Sequence, residues 1–332
     1  MDAENKFLNG IEAGHSSMQG YRVNMEDQHI IGKMSTLPDH TLLAIMDGKQ
    51  EFCYFRKTVS IIFNFVFFEG HAGKVAAKYT AAYLHSKIES SDTWKEYLTL
   101  DTLERRKRTD LIEKSLVHSY KAIDESLRVL RTMVIPRIFA VSNIKLSTTP
   151  LLFIQDNSGC TAVCAVVTPW HIICANVGDS RCVVGSSGTT ISMTEDHKPN
   201  NPVEKERIEL AGGFVEMDRV NGELAMSRAL GDFRYKDDPN LTELTYPVIC
   251  YPDITVHERD EEKDEVMVLA CDGVWDVLSN DEAVHFLTDI VFSTGGESAE
   301  YFETSGEKTY VHIYTNIPTD SCYALMGFRI LW

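Results

Sequence analysis

Carboxylates stand beside glycine or at the ends of apolar runs in four segments of this chain: 22–27, 47–48, 178–181 and 272–276. Three of these segments directly follow an apolar run, and a strand end is a rigid mount from which a carboxylate can point into a cleft. A neighbouring glycine lets a ligand approach the backbone closely. Oxygen ligands of this kind are the ones that hard divalent cations such as Mg²⁺ and Mn²⁺ prefer.

Two interpretations of these segments are open on spacing alone. Each Asp-Gly pair is typical of a β-turn. Alternatively, two divalent ions that share a bridging carboxylate can activate a water molecule and hold a phosphoryl group. The segments lack the His and Cys spacing of zinc sites, so the metal interpretation predicts Mg²⁺ or Mn²⁺.

The composition excludes several classes of protein. The chain has 332 residues, with 49 acidic and 32 basic side chains and a formal net charge of −17. Nucleic-acid binders need clustered Lys and Arg to neutralise phosphates, so we expect no nucleic-acid partner. A hydrophobic fraction of 44% and an aromatic fraction of 10% are enough to form a core, which excludes intrinsic disorder.

Two further patterns concern the cellular compartment. No apolar run approaches the roughly 18 residues that span a bilayer. Because the first residues are acidic and polar, we expect that they are not a signal peptide. The eight cysteines include no CxxC pair, and Cys164, Cys174 and Cys271 lie inside apolar runs. We therefore expect buried, reduced thiols in an intracellular protein of the cytoplasm, the nucleus or both.

Apolar periodicity predicts the elements that must position the carboxylates. Short apolar runs predict strands over 41–47, 161–167, 171–177 and 266–271. Helical spacing and end signals predict helices over 74–90, over 110–130, from 201 to 212–213, and after a capping box of Ser279 and Glu282. Strict alternation of strand and helix is absent, so the pattern favours an α+β layered architecture.

Long segments around these carboxylates resemble the metal-dependent protein Ser/Thr phosphatases of the type 2C (PPM) family. The matching segments are 16–29, 42–48, 71–79, 158–163, 175–184, 195–215, 219–236 and 269–284, and they include RVNMEDQH, LLAIMDG, ANVGDSRCVV and LACDGVWDVL. They cover most of the chain between residues 14 and 290, which is far more specific than a single motif. The resemblance implies a four-layer α-β-β-α sandwich with a central antiparallel β-sandwich, as a single domain over 1–332.

The resemblance assigns the metal ligands position by position. It implies two Mg²⁺ or Mn²⁺ ions bridged by Asp47, with the Gly48 carbonyl as a further ligand. Asp272 would bind one ion, and Glu26 would bind the other with Asp27 supporting it through water. The implied reaction is the one-step attack of a metal-activated water on phosphoserine or phosphothreonine.

The resemblance also assigns groups around these ions. Asp179, Asp272 and Asp276 match a weaker third metal site. Arg22 would bind the substrate phosphate, because a guanidinium fork suits phosphate, and His71 would be the general acid for the leaving alcohol. On residue type alone, Arg22 could equally form a surface ion pair, and His71 could be a structural histidine.

Two segments that match the family near the site could have a structural role and no direct role in catalysis. Segment 195–215 resembles the family's flap beside the active site, a place for substrate selection, but its Gly212-Gly213 pair could be only a helix stop. Ser227, Arg228 and Asp232 lie in a matching segment. We expect them to support the site structurally.

The chain departs from the family pattern at an insertion over 49–70. The family has Asp-Gly-His-Gly/Ala-Gly as one turn, whereas here Asp47-Gly48 is separated from His71-Ala72-Gly73. One hypothesis is a translated intron, and the other is a genuine lid or partner-binding insertion. Each doubling of loop length costs only about 0.6 kcal/mol, so the fold tolerates it, but a displacement of about 1 Å at the site costs on the order of 100-fold in rate.

Two further stretches fall outside the resemblance. Residues 135–154 are a candidate second insertion, and residues 292–332 form an atypical C-terminal segment. The C-terminal segment lacks the family's Arg-Asp-Asn, whose Asp is a metal ligand, and Asp320 is the candidate replacement. In the alternative, the family's last segment is missing, which would leave one metal under-liganded and a strand unpaired.

These observations predict an intracellular Mg²⁺- or Mn²⁺-dependent phosphatase with phosphoprotein substrates. The alternative is a catalytically impaired phosphatase-like protein that acts as a binding or regulatory module. A two-metal phosphoesterase for small molecules or nucleic acid is disfavoured by the net charge and by the length of the match. The sequence assigns no oligomeric state.

Overall fold

The computed structural model describes residues 2–8, 11–18, 27–49, 74–132, 157–260, 262–293 and 323–330. The strands are β1 (Asp2–Leu8), β2 (Ile11–Met18), β3 (Gln28–Lys33), β4 (Thr41–Met46), β5 (Gly48–Lys49), β6 (Gly159–Cys160), β7 (Ala162–Val167), β8 (His171–Val177), β9 (Arg181–Ser186), β10 (Thr189–Ser192), β11 (Val215–Glu216), β12 (Arg219–Val220), β13 (Leu230–Gly231), β14 (Asp253–Glu258), β15 (Asp264–Ala270) and β16 (Tyr323–Ile330). The helices are α1 (Lys74–Ser90), α2 (Asp92–Thr99), α3 (Thr102–Lys107), α4 (Thr109–Thr132), α5 (Pro202–Leu210), α6 (Asp272–Trp275) and α7 (Asn280–Ser293), with a 3₁₀ turn at Phe233–Tyr235.

Two antiparallel sheets form the centre of the fold. One has six strands in the order β1-β2-β16-β15-β9-β10, and the other has five in the order β14-β8-β7-β4-β3. Leu43 and Ile45 of the five-stranded sheet share one buried apolar cluster with Val183 and Val268 of the six-stranded sheet. This shared cluster is the layer between the two sheets.

Helices cover the outer faces of both sheets. Leu116 and Tyr120 of α4 pack in one buried cluster with Ala44 and Val166 of the five-stranded sheet. On the other side, α7 contacts β9 and β15 of the six-stranded sheet. Because β4 is covered on both faces, all of its residues are buried, as its continuous apolar sequence requires. The α-β-β-α order of layers confirms the predicted α+β sandwich.

Most predicted elements are confirmed at nearly the predicted bounds. The predicted strands correspond to β4, β7, β8 and β15, and the predicted helices to α1, α4, α5 and α7. The capping box before α7 is present, since Ser279 N donates to Glu282 Oε2 at 2.8 Å and Glu282 N donates to Ser279 Oγ at 3.3 Å. After α5, Gly212 adopts a φ of +81°, a left-handed conformation that ends the helix.

The three departures from the family pattern lie mainly outside the described residues. This holds for 50–70, for 135–154 and for Asp320. The end of the C-terminal segment is described, and it supplies β16, which pairs with β15 on one side and β2 on the other. β9 pairs with the other edge of β15. The alternative interpretation, which predicted that a strand would be left unpaired at the C-terminus, is therefore wrong on this point.

The thiol prediction is confirmed wherever cysteines are described. The free and buried cysteines of these ranges are Cys160, Cys164, Cys174, Cys182, Cys250 and Cys271. Within the same ranges, no helix combines the length and apolar character needed to cross a membrane.

Candidate metal centre

The ends of strands from both sheets bring Asp27, Asp47 and Cys271 together. Asp27 directly precedes β3 and Asp47 directly follows β4, and these strands pair so that Gln28 lies opposite Met46. Cys271 follows the last residue of β15 in the other sheet. One carboxylate oxygen of each aspartate and the Cys271 sulfur all lie within 4.8 Å of one another. Among the described residues, this is the group of three acidic, cysteine or histidine side chains that could hold a metal ion together.

Burial strengthens the repulsion between the carboxylates of this cluster. Asp27 is 5% exposed, Asp47 is 9% exposed and Cys271 is fully buried. Two carboxylates this close repel each other strongly where water is excluded, and a bound cation would relieve the repulsion. Cys271 Sγ donates a hydrogen bond to Asp27 Oδ2 at 3.4 Å.

The donor set of the cluster fits a hard divalent cation. Carboxylate oxygens are the ligands that Mg²⁺ and Mn²⁺ prefer. The hydrogen bond from the Cys271 thiol to Asp27 orients that carboxylate. A thiol at this position also adds a soft donor, which suits ions such as Zn²⁺ or Cd²⁺ better than Mg²⁺.

The backbone around Asp47 is fixed by Thr161, which lies between β6 and β7. Thr161 N donates to the Asp47 carbonyl at 3.0 Å, and Asp47 N donates to Thr161 Oγ1 at 3.3 Å. Gly48 begins β5 and lies opposite Cys160 in β6. This pairing fixes the Gly48 backbone beside Asp47, and its predicted role as a carbonyl ligand stays a prediction.

Asp272 and Asp276 lie on the short helix that follows β15. Asp272 is the first residue of α6 and is half-buried, while Asp276 is exposed at the end of the helix. Asp276 N donates to the Asp272 carbonyl at 2.8 Å. The ligand atoms of Asp179, Asp272 and Asp276 do not form a group within 4.8 Å in the described part of the chain. Their third-site role stays a prediction.

Asp179 forms an ion pair with Lys198 of segment 195–215. Lys198 Nζ lies 2.6 Å from Asp179 Oδ2, and the Asp179 side chain is only 2% exposed. Arg181 lies near the same carboxylate and forms two hydrogen bonds with Asp196, at 2.7 and 3.0 Å. Those bonds are the main cause that raises the pKa of Arg181, and the charges of Asp179 and Asp276 add to the rise. Lys198 is therefore the cation paired with Asp179, whereas the hydrogen bonds of Arg181 go to Asp196.

A buried ionic network joins α5 to β14. Glu204 of α5 accepts from Arg228 at 2.7 Å through Oε1 and lies 2.7 Å from Arg207 through Oε2. Burial alone would raise the pKa of Glu204, but the hydrogen bonds from Arg228 and Arg207 outweigh it and lower that pKa to about 2. Arg228 also donates to Asp253 Oδ1 at 2.7 Å. The predicted structural role of Arg228 agrees with these contacts.

The structure covers only part of the predicted site. Arg22, Glu26 and His71 lie outside the described residues, so their roles stay predictions. Cys271 and Lys198 contact site carboxylates, and sequence reasoning gave neither a role there. For Cys271, its position directly before the Asp272-Gly273 pair was an available signal, whereas nothing in the sequence indicated the partner of Lys198.

Comparison with known proteins agrees with this architecture. A family model described as Protein phosphatase 2C matches residues 11–300. Protein phosphatase ppm-1.A of Caenorhabditis elegans is 39% identical over 287 residues, which are 85% of this chain and 52% of that protein. Protein phosphatase 1A of Homo sapiens is 37% identical over 281 residues, which are 84% of this chain and 62% of that protein. The chain thus spans less than two thirds of the length of these curated relatives.

A solved structure shares the fold. The crystal structure of serine-threonine phosphatase 2C from Toxoplasma gondii superposes with a TM-score of 0.70 at 20% sequence identity, and the match covers 99% of each chain. At this identity the likeness shows the fold alone.

Proposed function

Because this chain belongs to the protein phosphatase 2C family, we propose that it is a protein Ser/Thr phosphatase that depends on Mg²⁺ or Mn²⁺. The observation that carries the proposal is the meeting of the Asp27 and Asp47 carboxylates at buried strand ends. Cations bound there would supply Lewis-acid activation of the attacking water and neutralise charge on the phosphate.

The surrounding residues fix the positions of the Asp27 and Asp47 carboxylates. The β3–β4 pairing sets the spacing of Asp27 and Asp47. Thr161 fixes the Asp47 backbone through two hydrogen bonds, and the Cys271 thiol orients the Asp27 carboxylate. A site held this rigidly by strands suits chemistry in which small displacements are costly.

The finer arrangement follows the family motifs. We propose that Asp47 bridges two ions, that Glu26 and Asp272 bind one ion each, and that the Gly48 carbonyl is a further ligand. The chain order supports this, since Glu26 directly precedes Asp27 and Asp272 directly follows Cys271.

The remaining steps are assigned to two residues outside the described ranges. We propose that Arg22 binds the phosphate and that His71 gives a proton to the serine or threonine oxygen as its bond to phosphorus breaks. Water attacks phosphorus directly, so the products are inorganic phosphate and the free alcohol. No covalent enzyme intermediate is required.

The wider role follows from the same family. We propose one phosphatase domain over 1–332 that acts on phosphoproteins inside the cell, with insertions at 49–70 and 135–154. The acidic balance of 49 against 32 charged residues supports a substrate other than nucleic acid.

Hydrolysis of a phosphothreonine peptide by the full chain tests the proposal. We expect Mn²⁺-dependent hydrolysis that a chelator abolishes and that Asp47→Asn lowers by at least about 100-fold. Asp289→Asn, which changes an exposed aspartate of α7, should retain full activity. Equal activity of the unmodified chain and Asp47→Asn would overturn the metal assignment.

The alternative function has its own observation. The insertion over 49–70 separates Asp47-Gly48 from His71, which favours an impaired, phosphoprotein-binding module. Phosphopeptide binding without Mn²⁺-dependent hydrolysis would overturn the enzymatic proposal and support this alternative.

A further inference from the structure

A lysine lies at the carboxylate that the family resemblance assigns to a third metal ion. Lys198 Nζ is 2.6 Å from Asp179 Oδ2. The Asp179 side chain is 2% exposed, whereas 37% of the Lys198 side chain is exposed. The protein itself therefore supplies a cation to a carboxylate that water hardly reaches.

The fold holds this ion pair in place. Gly178 N donates to His197 Nδ1 at 3.0 Å, and His197 N donates to the Gly178 carbonyl at 3.0 Å. Since Gly178 precedes Asp179 and His197 precedes Lys198, these two bonds lie directly beside the ion pair. Asp253 Oδ2 lies 3.1 Å from His197 Nε2 and fixes the imidazole ring.

Gly178 is specifically required for this arrangement. Its φ of +106° is a left-handed conformation that side chains disfavour. A Cβ atom at Gly178 would also lie 2.5 Å from Thr161 Cγ2. The turn that carries Asp179 is therefore held tightly on one side by Thr161 and on the other by His197.

The three carboxylates of the predicted third site do not converge as a group of three among the described residues. These carboxylates belong to Asp179, Asp272 and Asp276. Arg181 lies near Asp179 but forms its two short hydrogen bonds with Asp196. The cation that the described residues place at the Asp179 carboxylate is therefore the Lys198 ammonium.

We propose that the Lys198 ammonium is the resident cation of Asp179 and keeps a divalent ion out of this position. The inference rests on the proposed phosphatase function, because it concerns the third metal position of that site. An ammonium and a divalent ion at one buried carboxylate repel each other. A divalent ion must therefore displace Lys198, whose partly exposed side chain can rotate into solvent.

Mn²⁺ binding measured by titration calorimetry tests the inference without turnover. In Lys198→Met the ammonium is removed, and we expect the dissociation constant of the weakest Mn²⁺ site to fall by at least about tenfold. Lys198→Arg keeps the positive charge and should bind Mn²⁺ like the unmodified protein. Lys205→Met, a change at a half-exposed lysine of α5, is the matched control and should also be unchanged.

Two further variants test whether the gain in Mn²⁺ affinity depends on Asp179 and on the charge of Lys198. Adding Asp179→Asn to Lys198→Met should abolish the gain, because the carboxylate that receives the ion is lost. Lys198→Gln removes the charge but keeps a hydrogen-bond donor, and it should show the same gain if Lys198→Met does not fold. Circular dichroism without metal checks that each variant is folded.

The outcomes separate this inference from the proposed function. If Lys198→Met and Lys198→Gln bind Mn²⁺ like the unmodified protein while Mn²⁺-dependent hydrolysis persists, the inference is overturned and the phosphatase proposal stands. If the unmodified protein binds no Mn²⁺ at all, both are overturned.

Discussion

Thr161 and Asp47 exchange two hydrogen bonds, one through the Thr161 backbone at 3.0 Å and one through its hydroxyl at 3.3 Å. The same hydroxyl lies 2.7 Å from Ser180 Oγ. Because Ser180 directly follows Asp179, one buried hydroxyl connects the two loops that carry Asp47 and Asp179. A change at Thr161 should therefore affect both carboxylates.

Thr161→Val tests this connection. The substitution keeps the shape of the side chain but removes the hydroxyl, so two buried polar groups lose a partner. We expect the free energy of unfolding to fall by about 1–3 kcal/mol and kcat for the phosphothreonine peptide to fall by about tenfold or more. Urea unfolding and steady-state kinetics measure the two effects.

Thr80→Val is the matched control for Thr161→Val. It also removes a fully buried hydroxyl, whose contact is the Cys160 sulfur at 3.8 Å. This change should leave kcat within about twofold, because a hydroxyl–sulfur contact at that distance is weak. Equal losses of kcat in both variants would mean that Thr161 acts only through general stability.

Glu204 predicts an acid-sensitive part of the stability. Its pKa of about 2 lies below the ordinary value of 4.5, so the ionised form stabilises the folded protein. This contribution is fully present above about pH 4.5 and is lost as the pH falls toward about 2. It amounts to about 3 kcal/mol. Urea unfolding between about pH 5 and pH 2.5 should show a steeper loss for the unmodified protein than for Glu204→Gln.

Glu209→Gln is the control on the same helix. Glu209 is exposed and lies 3.8 Å from Lys205, so its substitution should leave the pH dependence of stability unchanged. Identical pH profiles for Glu204→Gln and the unmodified protein would contradict the assigned role of the Arg207–Glu204–Arg228 network.

The sequence predicts the fold well where the apolar periodicity of an element matches the faces that its neighbours bury. β4 and β8 are apolar because sheet or helix covers both of their faces, and α4 carries a single apolar stripe. The packing of two sheets against each other was predicted from the family resemblance, because local sequence patterns do not specify it. β16 was not predicted, because its sequence departs from the family, and backbone pairing with β2 and β15 accepts many sequences.

The site is harder to predict than the fold. The end of the predicted strand over 41–47 made Asp47 a candidate, whereas Asp27 was a candidate only through the acidic segment 22–27. The antiparallel pairing of β3 with β4 makes the two residues neighbours. The Lys198–Asp179 contact joins residues 19 positions apart through a turn whose shape depends on Gly178 and His197. A charge pair set by such loop geometry leaves no periodic signal in the sequence.

Cys271 predicts sensitivity to soft metal ions. Its sulfur lies with two carboxylate oxygens inside a 4.8 Å group, and a thiolate binds Cd²⁺ much more tightly than oxygen ligands do. We expect Cd²⁺ to displace Mn²⁺ and to produce a cadmium–thiolate absorption band in the ultraviolet. Cys271→Ser should lose the band and weaken Cd²⁺ binding by at least about tenfold.

Cys250→Ser is the control for the cadmium experiment. Cys250 is also a buried free thiol, but it does not belong to the group formed by Asp27, Asp47 and Cys271. This variant should keep the band and the Cd²⁺ affinity. A band that persists in Cys271→Ser would show that Cd²⁺ binds elsewhere.

Removal of residues 49–70 tests whether the insertion impairs the site. The deletion joins Asp47-Gly48 directly to His71-Ala72-Gly73 and restores the uninterrupted family turn. β4 ends just before Asp47 and α1 begins at Lys74, so both are retained, while β5 loses Lys49. We expect kcat/KM for the phosphothreonine peptide to rise by about 100-fold, because one tight turn would then fix Asp47 and His71 together.

Removal of residues 135–154 is the matched control, because that stretch is also absent from the family pattern but lies away from the Asp47 turn in the sequence. It should leave kcat/KM nearly unchanged. The 49–70 deletion combined with Asp47→Asn should be inactive, which ties any gain to the metal centre. If deletion of 49–70 lowers activity while Mn²⁺ binding persists, the insertion is a working part of the enzyme, such as a lid, and the translated-intron hypothesis is wrong.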